Sequence, residues 1–198
     1  MSNTTHNRRT QAERRAESRQ AVLDSACRLF AKNGYAGTAL EDIAADCGLT
    51  IRPIYHYFGN KKALFAAVNA VAEQRIIESM QVVNESNDTP TGLAHWRAYL
   101  NLCDDAGFRQ VVLIDSPNIL GRERWGNSPV SMAVKSTLAA SEPVDKAEQF
   151  RQILLHSVVM GAFSEAALTI AEAEDISMAK AEAERLMQGL FSQIWEAN

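Results

Sequence analysis

Residues 38–65 constrain the fold of this chain most strongly, because they encode two short helices separated by a glycine turn. Thr38, followed three residues later by Glu41, matches a capping box and predicts a helix that starts at residue 39. Gly48 supplies the left-handed turn that ends this helix, and Thr50 can cap the next one. Two helices of about two turns, joined by three or four residues, predict a helix-turn-helix.

The rest of the chain is also typical of helices. Of its 198 residues, 46% are apolar, and only five are proline and ten glycine. We therefore predict an all-α protein. A three-helix helix-turn-helix bundle is expected over residues 1–62, with 1–9 disordered outside a complex, and a second helical domain over 63–198. The polar segment 84–91 is the expected hinge.

Apolar spacing and capping signals set the expected helix bounds. The first half is expected to contain helices at about 10–32, 39–47, 51–58 and 61–83. The second half is expected to contain helices at about 93–103, 107–114, 129–140, 144–171 and 175–196. Segment 115–127 contains a Ser-Pro pair and two glycines, which predict turns and short helical pieces.

The net charge of −4 conceals an asymmetry. Residues 1–62 contain ten Lys or Arg and six acidic residues, whereas the remaining 136 contain ten basic and eighteen acidic residues. A basic first segment on an acidic protein indicates a polyanionic partner at one end only.

The cysteine content and the distribution of apolar residues indicate the cellular compartment in which the chain is expected. Cys27, Cys47 and Cys103 are widely spaced, so they predict neither a metal site nor a disulfide framework. Cys27 and Cys47 fall on apolar helix faces and are expected to be small core residues. The polar, Arg-rich first twenty residues predict no signal peptide. No apolar run was expected to reach the roughly 20 residues that span a bilayer. A cytoplasmic, nucleoid-associated protein without membrane contact, metal or cofactor is expected.

The predicted helix at 51–58 is narrow enough to enter a major groove, and cations nearby could hold phosphates. The residues expected to contact DNA are Thr38, Thr50, Ile51, Arg52, Tyr55, His56, Tyr57, Lys61 and Lys62. The Arg-rich segment 8–19 could follow the DNA backbone or form a solvated helix face. An aromatic run alone is more often core, and a lysine pair alone is usually surface. Their order within 28 residues favours DNA binding.

A family resemblance rests on the pattern Phe30-x3-Gly34-Tyr35-x2-Thr38-x4-Ile43-Ala44-x2-Cys47-Gly48-Leu49-Thr50-x3-Ile54-Tyr55-x-Tyr57-Phe58-x2-Lys61-x2-Leu64. It resembles the N-terminal DNA-binding domain of TetR-family transcriptional regulators. The resemblance implies an all-helical homodimer, usually a repressor released from its operator by a small ligand. It implies phosphate contacts by Thr38, Tyr55 and Lys61. The groove residues it implies are Thr50, Arg52, Pro53, His56 and Tyr57.

Two positions depart from the family pattern. Many members have a small residue where Arg52 stands, and Thr, Ala or Ser where Pro53 stands. The general binding mode survives these changes, but base preference does not transfer.

The second half resembles a subgroup of the same family more loosely, through Val112-Leu-Ile-Asp-x-Pro117-x-x-Leu120-Gly121-x-Glu123-Arg124-Trp125 and Gly161-Ala-x-Ser-Glu165-Ala-Ala. The family pattern implies a dimer interface on the last two long helices. The candidates are Leu155, Val159, Ala162, Leu186, Leu190 and Ile194. Some of these must belong to the protomer's own core, and the sequence leaves their assignment open.

A ligand cavity is expected in the irregular middle of the second half, where aromatic, Met and polar residues suit a small, mainly apolar ligand. The candidates are Trp96, Tyr99, Phe108, Trp125, Met132, His156, Met160 and Phe163. The alternative for each is an ordinary place in a helical core.

The leading hypothesis is a homodimeric repressor that a small-molecule effector releases from a palindromic operator. Alternatives are a ligand-responsive activator, a helical enzyme or ligand-binding protein without DNA binding, and a protein that grips an acidic partner. No nucleophile–base pair, Gly-rich phosphate loop or metal-ligand spacing is visible, so enzymatic activity is not expected.

Overall fold

The structure of the protein is a computed structural model. The residues it describes are 10–85, 91–121, 124, 127–138 and 143–196. Within these residues the chain forms helices and turns without any strand. The chain divides into two compact units, Met1–Val68 and Asn69–Asn198. The expectations for residues 1–9 and for most of the hinge at 84–91 fall outside the described part.

The first unit is built from three helices and the start of a fourth. These are α1 (Gln11–Asn33), α2 (Leu40–Asp46), α3 (Ile51–Phe58) and α4 (Lys61–Glu85), which continues into the second unit. The hydroxyl of Thr10 accepts a hydrogen bond from the Glu13 N–H, and the Glu13 carboxylate accepts one from the Thr10 N–H. This reciprocal capping box explains why α1 begins where it does.

The helices of the first unit pack their apolar sides together to form its core. Its largest fully buried side chains are Val22, Phe30, Ile43, Ile54, Leu64 and Phe65. The rings of Phe30 and Phe65 meet edge to face, with centroids 5.2 Å apart. Ile54 is the one fully buried residue of α3, and the half-buried Ile51, Pro53, Tyr57 and Phe58 add to the packing of this helix.

The second unit contains the remaining helices. They are α5 (Thr91–Cys103), α6 (Ala106–Arg109), α7 (Ser116–Ile119), α8 (Pro129–Leu138), α9 (Lys146–Ala171) and α10 (Ile176–Glu196). The last three begin at side-chain caps, since oxygens of Ser128, Asp145 and Asp175 accept backbone N–H groups three residues ahead. Trp96, Val112 and Ser131 are almost fully buried in this unit.

A π-helical turn, Gln110–Asp115, joins α6 to α7 where the sequence predicted the end of one helix, followed by turns and short helical pieces. The Ser116 N–H bonds to the carbonyl of Val111, five residues back. The amide of Gln110 donates to the Asp115 carboxylate at 3.0 Å, across the same five-residue spacing. The wider turn keeps the chain helical up to Ile119, beyond the expected helix end at 114, and the four-residue helix α7 is a short helical piece of the kind that the sequence predicted for 115–127.

Helix α9 corrects the expectation that no segment could span a bilayer. By length and composition alone, this helix is long and apolar enough to cross a membrane. His156, Val159, Ala167 and Ile170 pack into the unit, whereas other apolar residues of α9 face outward.

Candidate nucleic-acid interface and effector cavity

The turn between α2 and α3 sets the direction of the exposed helix α3. Gly48 has φ +68°, a left-handed conformation that side chains disfavour. The Leu49 N–H returns to the Ala44 carbonyl at 2.9 Å and closes the end of α2. With Ile54 fully buried on the inner side, the opposite side of α3 is left for solvent.

The outer side of α3 presents most of the predicted DNA residues. Arg52 and His56 are exposed, and Tyr55 is 51% exposed. The rings of His56 and Tyr57 meet at a tilt, with centroids 5.2 Å apart. Thr50 is also exposed, but its hydroxyl makes no capping hydrogen bond. Ile51 and Pro53 are half-buried in the first turn.

The start of α4 lies in the same unit and carries the lysine pair. Asn60 caps the helix, because its side-chain oxygen accepts the Ala63 N–H at 2.8 Å. Lys62 is exposed. The ammonium of Lys61 lies 4.3 Å from the centre of the Tyr35 ring, a cation–π contact that the sequence did not reveal.

The predicted role of Thr38 as a helix cap is wrong. Helix α2 begins at Leu40, and the backbone N–H of Ala39 donates to the Asp42 carboxylate at 3.2 Å. The Thr38 side chain is buried, and its hydroxyl lies 2.8 Å from the Gly34 carbonyl and 3.1 Å from the Leu29 carbonyl. Its single hydrogen is therefore committed to these acceptors and is not directed at a phosphate.

A polar brace connects α1 to α2, and it too was missed from the sequence. The Ser25 hydroxyl and the Arg28 guanidinium each donate to the Asp46 carboxylate at 2.6 Å. The hydrogen bond from Ser25, followed by that from Arg28, lowers the pKa of Asp46 below its ordinary value. The brace joins residues about 20 positions apart, which local sequence patterns do not report.

The guanidinium of Arg19 adds a second cation–π contact in this unit. It lies 5.0 Å from the centre of the Phe58 ring, at the end of α3. Arg19 is exposed, so this contact places its charge at the C-terminal end of α3. Of the Arg-rich segment 8–19, residues 8 and 9 fall outside the described residues.

A small cavity lies inside the second unit. Its volume is about 30 Å³. The described residues that line it are Ile76, Ser79, Met80, His95, Tyr99, Val130, Val134, Met160, Phe163 and Ser164. Three of these residues, Tyr99, Met160 and Phe163, were among the candidates from the sequence. The lining residues from α4, which are Ile76, Ser79 and Met80, were not. Burial lowers the pKa of His95, which favours its neutral form.

The other residues expected at a cavity have different positions. Trp96 is fully buried beside Phe163, with ring centroids 4.8 Å apart, and Phe108 lies beneath the Arg75 guanidinium. Met132 is 58% exposed, because α8 turns Val130 and Ser131 inward instead. Trp125 lies outside the described residues.

His156 contributes to a second cavity of about 270 Å³, which Lys135, Gln149 and Gln152 also line. Its ring nitrogen lies 3.1 Å from the Ser131 hydroxyl. Burial, and after it the charge of Lys135, lowers the pKa of His156.

Helices α9 and α10 carry the residues expected at a dimer interface. Val159 is only 6% exposed within the protomer, so it belongs to the protomer's own core. Leu155 and Ala162 are half-buried, Leu186 and Leu190 are exposed, and the Ile194 side chain lies outside the description. Further large apolar side chains exposed on α9 are Phe150, Ile153, Leu154 and Val158.

The chemistry of the described residues offers no candidate metal centre, since no group of three or more His, Cys, Asp or Glu is placed to hold an ion. Burial raises the pKa of the Cys103 thiol to about 11 and also raises that of Cys27. These thiols therefore stay protonated near neutral pH.

Two family descriptions match the sequence. Residues 22–68 match "Bacterial regulatory proteins, tetR family", and residues 91–194 match "Tetracyclin repressor-like, C-terminal domain". The first match contains α2, α3 and most of α1, and the second contains the helices from α5 onward.

Curated relatives resemble the first unit. The HTH-type transcriptional regulator AcrR of Shigella flexneri is 40% identical over 62 residues, which are 31% of this chain and 29% of that protein. The HTH-type transcriptional repressor AcnR of Corynebacterium efficiens is 35% identical over 63 residues, 32% of this chain and 34% of that protein. The chain thus spans about a third of the length of these relatives.

Solved structures resemble the chain over most of its length. A TetR-family transcriptional regulator from Pectobacterium atrosepticum has a TM-score of 0.64 at 27% identity, covering 92% of this chain and 95% of that chain. A TetR transcriptional regulator from Chloroflexus aurantiacus, at 20% identity, a TM-score of 0.65 and coverage of 91% and 96%, shows the same fold. Because the C-terminal family match alone covers more than half of the residues, this chain belongs to the TetR family of bacterial regulatory proteins.

Proposed function

We propose that this chain is a homodimeric, sequence-specific DNA-binding repressor that a small-molecule effector releases from a palindromic operator. The observation that carries the proposal is the two-sided character of α3, which buries Ile54 completely and leaves Arg52 and His56 in solvent. Such a helix can enter a major groove while its inner side keeps its packing. A repressor of this kind acts on the nucleoid in the bacterial cytoplasm.

The contacts divide into two classes. Lys61 and Lys62 stand at the N-terminus of α4, where free N–H groups and the helix dipole attract a phosphate. Thr50, which precedes α3, and Tyr55, on its exposed side, are candidates for phosphate contacts. Arg52 is the best candidate for reading a base, because its guanidinium can donate two hydrogen bonds to a guanine edge.

Dimerisation would use the outward apolar side of α9 together with that of α10. The side chains of Phe150, Leu154 and Val158 recur at helical spacing, and each is about half exposed or more. A Cβ added at Gly161 or at Gly189 would meet nothing within 4 Å in the protomer, so both positions leave room for a partner helix. This use of α9 also accounts for its apolar outer side without a membrane.

Release would follow from effector binding in the smaller cavity. Ile76, Ser79 and Met80 of its wall belong to α4, the helix that supplies residues to both units. An effector that favours a different position of α4 would shift the dimer towards conformers whose two α3 helices no longer match successive major grooves.

Fluorescence anisotropy tests the proposal, with labelled duplexes from the region upstream of the chain's own gene. We expect tight binding to a palindrome and a steep loss of affinity with salt. Arg52→Ala should lose about 1–3 kcal/mol on the palindrome and relax preference at one base pair. Lys146→Ala, an equal charge change at the exposed start of α9, is the control. Absence of binding to every upstream fragment would refute the proposal.

A further inference from the structure

The hydroxyl of Tyr99 is an unused hydrogen-bonding group at the wall of the smaller cavity. The side chain is 7% exposed, and its oxygen makes no hydrogen bond with another protein group in the part of the chain that is described. Ser164 and Cys103 lie close enough to influence its pKa, which burial raises well above the ordinary value, but neither forms a hydrogen bond of acceptable geometry. The phenol therefore stays protonated and can donate.

The other polar groups of the wall already use their hydrogens. The Ser79 hydroxyl donates to the Ile76 carbonyl at 2.7 Å, and the Ser164 hydroxyl donates to the Met160 carbonyl at 3.0 Å. His95 is hydrogen-bonded to the backbone of Met80. Among the described lining residues none is Asp, Glu, Lys or Arg, so the wall contains no formal charge when His95 is neutral.

A cavity of this composition selects against ionised ligands. A carboxylate or an ammonium group would lose its hydration without gaining an opposite charge, which is far more costly than the transfer of a neutral polar group. A neutral oxygen acceptor would instead pair with the Tyr99 hydroxyl and satisfy a buried donor that has no protein partner.

We propose that the effector of this chain is an uncharged, mainly apolar molecule with a carbonyl or ether oxygen that accepts a hydrogen bond from Tyr99. This inference rests on the proposed function, because it names the chemical class of the effector at the same cavity. It separates this chain from regulators whose ligands are recognised through an ion pair.

The size of the cavity shows that binding must move side chains. Its volume of about 30 Å³ is small, whereas ligand cavities are typically about ten times larger or more. Met80 and Met160 are the wall residues with the most rotatable side chains, so they are the ones that can swing aside. Because Met80 belongs to α4, this opening acts on the helix through which release is proposed.

Isothermal titration calorimetry on the full chain tests the proposal with three eight-carbon probes, 2-octanone, octanoate and octylammonium, near neutral pH. The tails are matched, and only the head group changes from neutral to anionic or cationic. We expect 2-octanone to bind at least about tenfold more tightly than either ion. Equal or tighter binding of an ion, or no saturable binding of 2-octanone, would overturn the proposal.

Tyr99→Phe removes one oxygen and keeps the ring, so it tests the donor without a change in packing. We expect the affinity for 2-octanone to fall by about threefold to tenfold. Thr169→Val is the matched control, because its hydroxyl bonds within α9 outside the cavity wall, to the Glu165 carbonyl. Unchanged affinity in Tyr99→Phe would remove Tyr99 from the proposal. The comparison of the three probes needs only the unaltered chain and stands if a variant folds poorly.

The same samples distinguish failure of this inference from failure of the proposed function. Anisotropy with an upstream palindrome reports DNA binding with and without 2-octanone. A chain that binds DNA but not 2-octanone contradicts only the effector class. A chain that binds 2-octanone but no duplex upholds the cavity chemistry and contradicts the proposed function.

Discussion

The ammonium group of Lys61 lies over the face of Tyr35, 4.3 Å from the centre of its ring. Tyr35 in turn packs edge to face against the buried Phe65, with centroids 5.1 Å apart. The core of the first unit therefore determines where the first charge of α4 is held. A lysine restrained in this way loses less conformational freedom when it binds a phosphate.

We predict that Tyr35→Leu weakens DNA binding by about 0.5–1 kcal/mol, the size of a cation–π contact at a partly exposed site. The loss should be equal on specific and random duplexes, because a phosphate contact does not read sequence. Anisotropy titrations on both duplexes measure it.

Tyr35→Phe is the control, since it keeps the aromatic ring and should bind DNA almost as the unaltered chain does. Lys61→Ala should reduce the slope of log affinity against log salt by about one unit. A normal slope in Lys61→Ala would show that this lysine does not hold a phosphate.

An ion pair between a buried carboxylate and a half-buried guanidinium joins α4 to the segment before α8. One Glu73 carboxylate oxygen accepts hydrogen bonds from Asn69 at 2.7 Å and from Arg124 at 3.0 Å, and the Glu73 side chain is 3% exposed. We predict that Arg124→Met destabilises the fold by about 3–5 kcal/mol, because it leaves a buried carboxylate without its cation. Urea denaturation followed by circular dichroism measures the change.

The double variant Glu73→Leu with Arg124→Met removes both charges and should recover much of that loss. Exposed Arg185→Met is a suitable control, because its ion pair with Glu182 is on the surface and should be worth little. Arg124→Met with unchanged stability would mean that the pair is not formed in solution.

Two histidines of the second unit predict a loss of stability in mild acid. Burial is the main cause that lowers the pKa of both His95 and His156 from 6.5. The unfolded chain therefore takes up protons first as the pH falls. The stability from the neutral rings is complete above about pH 6.5 and declines as the pH falls towards their lowered pKa values.

Replacement of both by Gln should flatten this dependence, although it also removes the contact between His156 and Ser131. Urea midpoints at several pH values between about 7 and 5 give the comparison. A double variant that loses stability with falling pH as steeply as the unaltered chain would assign the effect to other groups.

The exposed apolar side of α9 predicts a dimer. Val158 is 56% exposed and lies next to Val159, which faces the protomer's own core. Val158→Asp should convert the dimer to a monomer at micromolar concentration, because it would bury an unpaired charge in the interface. Size-exclusion chromatography with light scattering reports the mass, and Asn101→Asp at an exposed position of α5 is the control. An unaltered chain that is monomeric would exclude the proposed interface.

Several local signals that end or begin helices were predictable from sequence, although Thr50 makes no capping hydrogen bond. Asn60, Ser128 and Asp175 cap the helices that follow them, since a short polar side chain three residues before a free N–H acts within one turn. Gly48 has the expected positive φ for the same local reason.

Contacts between distant residues were not predictable. Thr38 looked like a cap, but packing places its hydroxyl on carbonyls at the end of α1, so α2 starts one residue later. Arg124 and Glu73 are 51 positions apart, and no periodic pattern reports such a pair. Val158 and Val159 are adjacent and chemically identical, so only the rotation of α9 separates surface from core.

The most direct test of the account is a hydroxyl-radical footprint of the full chain on an upstream palindrome. Two α3 helices in successive major grooves should produce two protected patches whose centres are about 10 base pairs apart or a multiple of that distance. Arg52→Ala should weaken both patches equally at a given protein concentration. A single patch, or two equal patches that do not respond to Arg52→Ala, would contradict a dimer that reads DNA through α3.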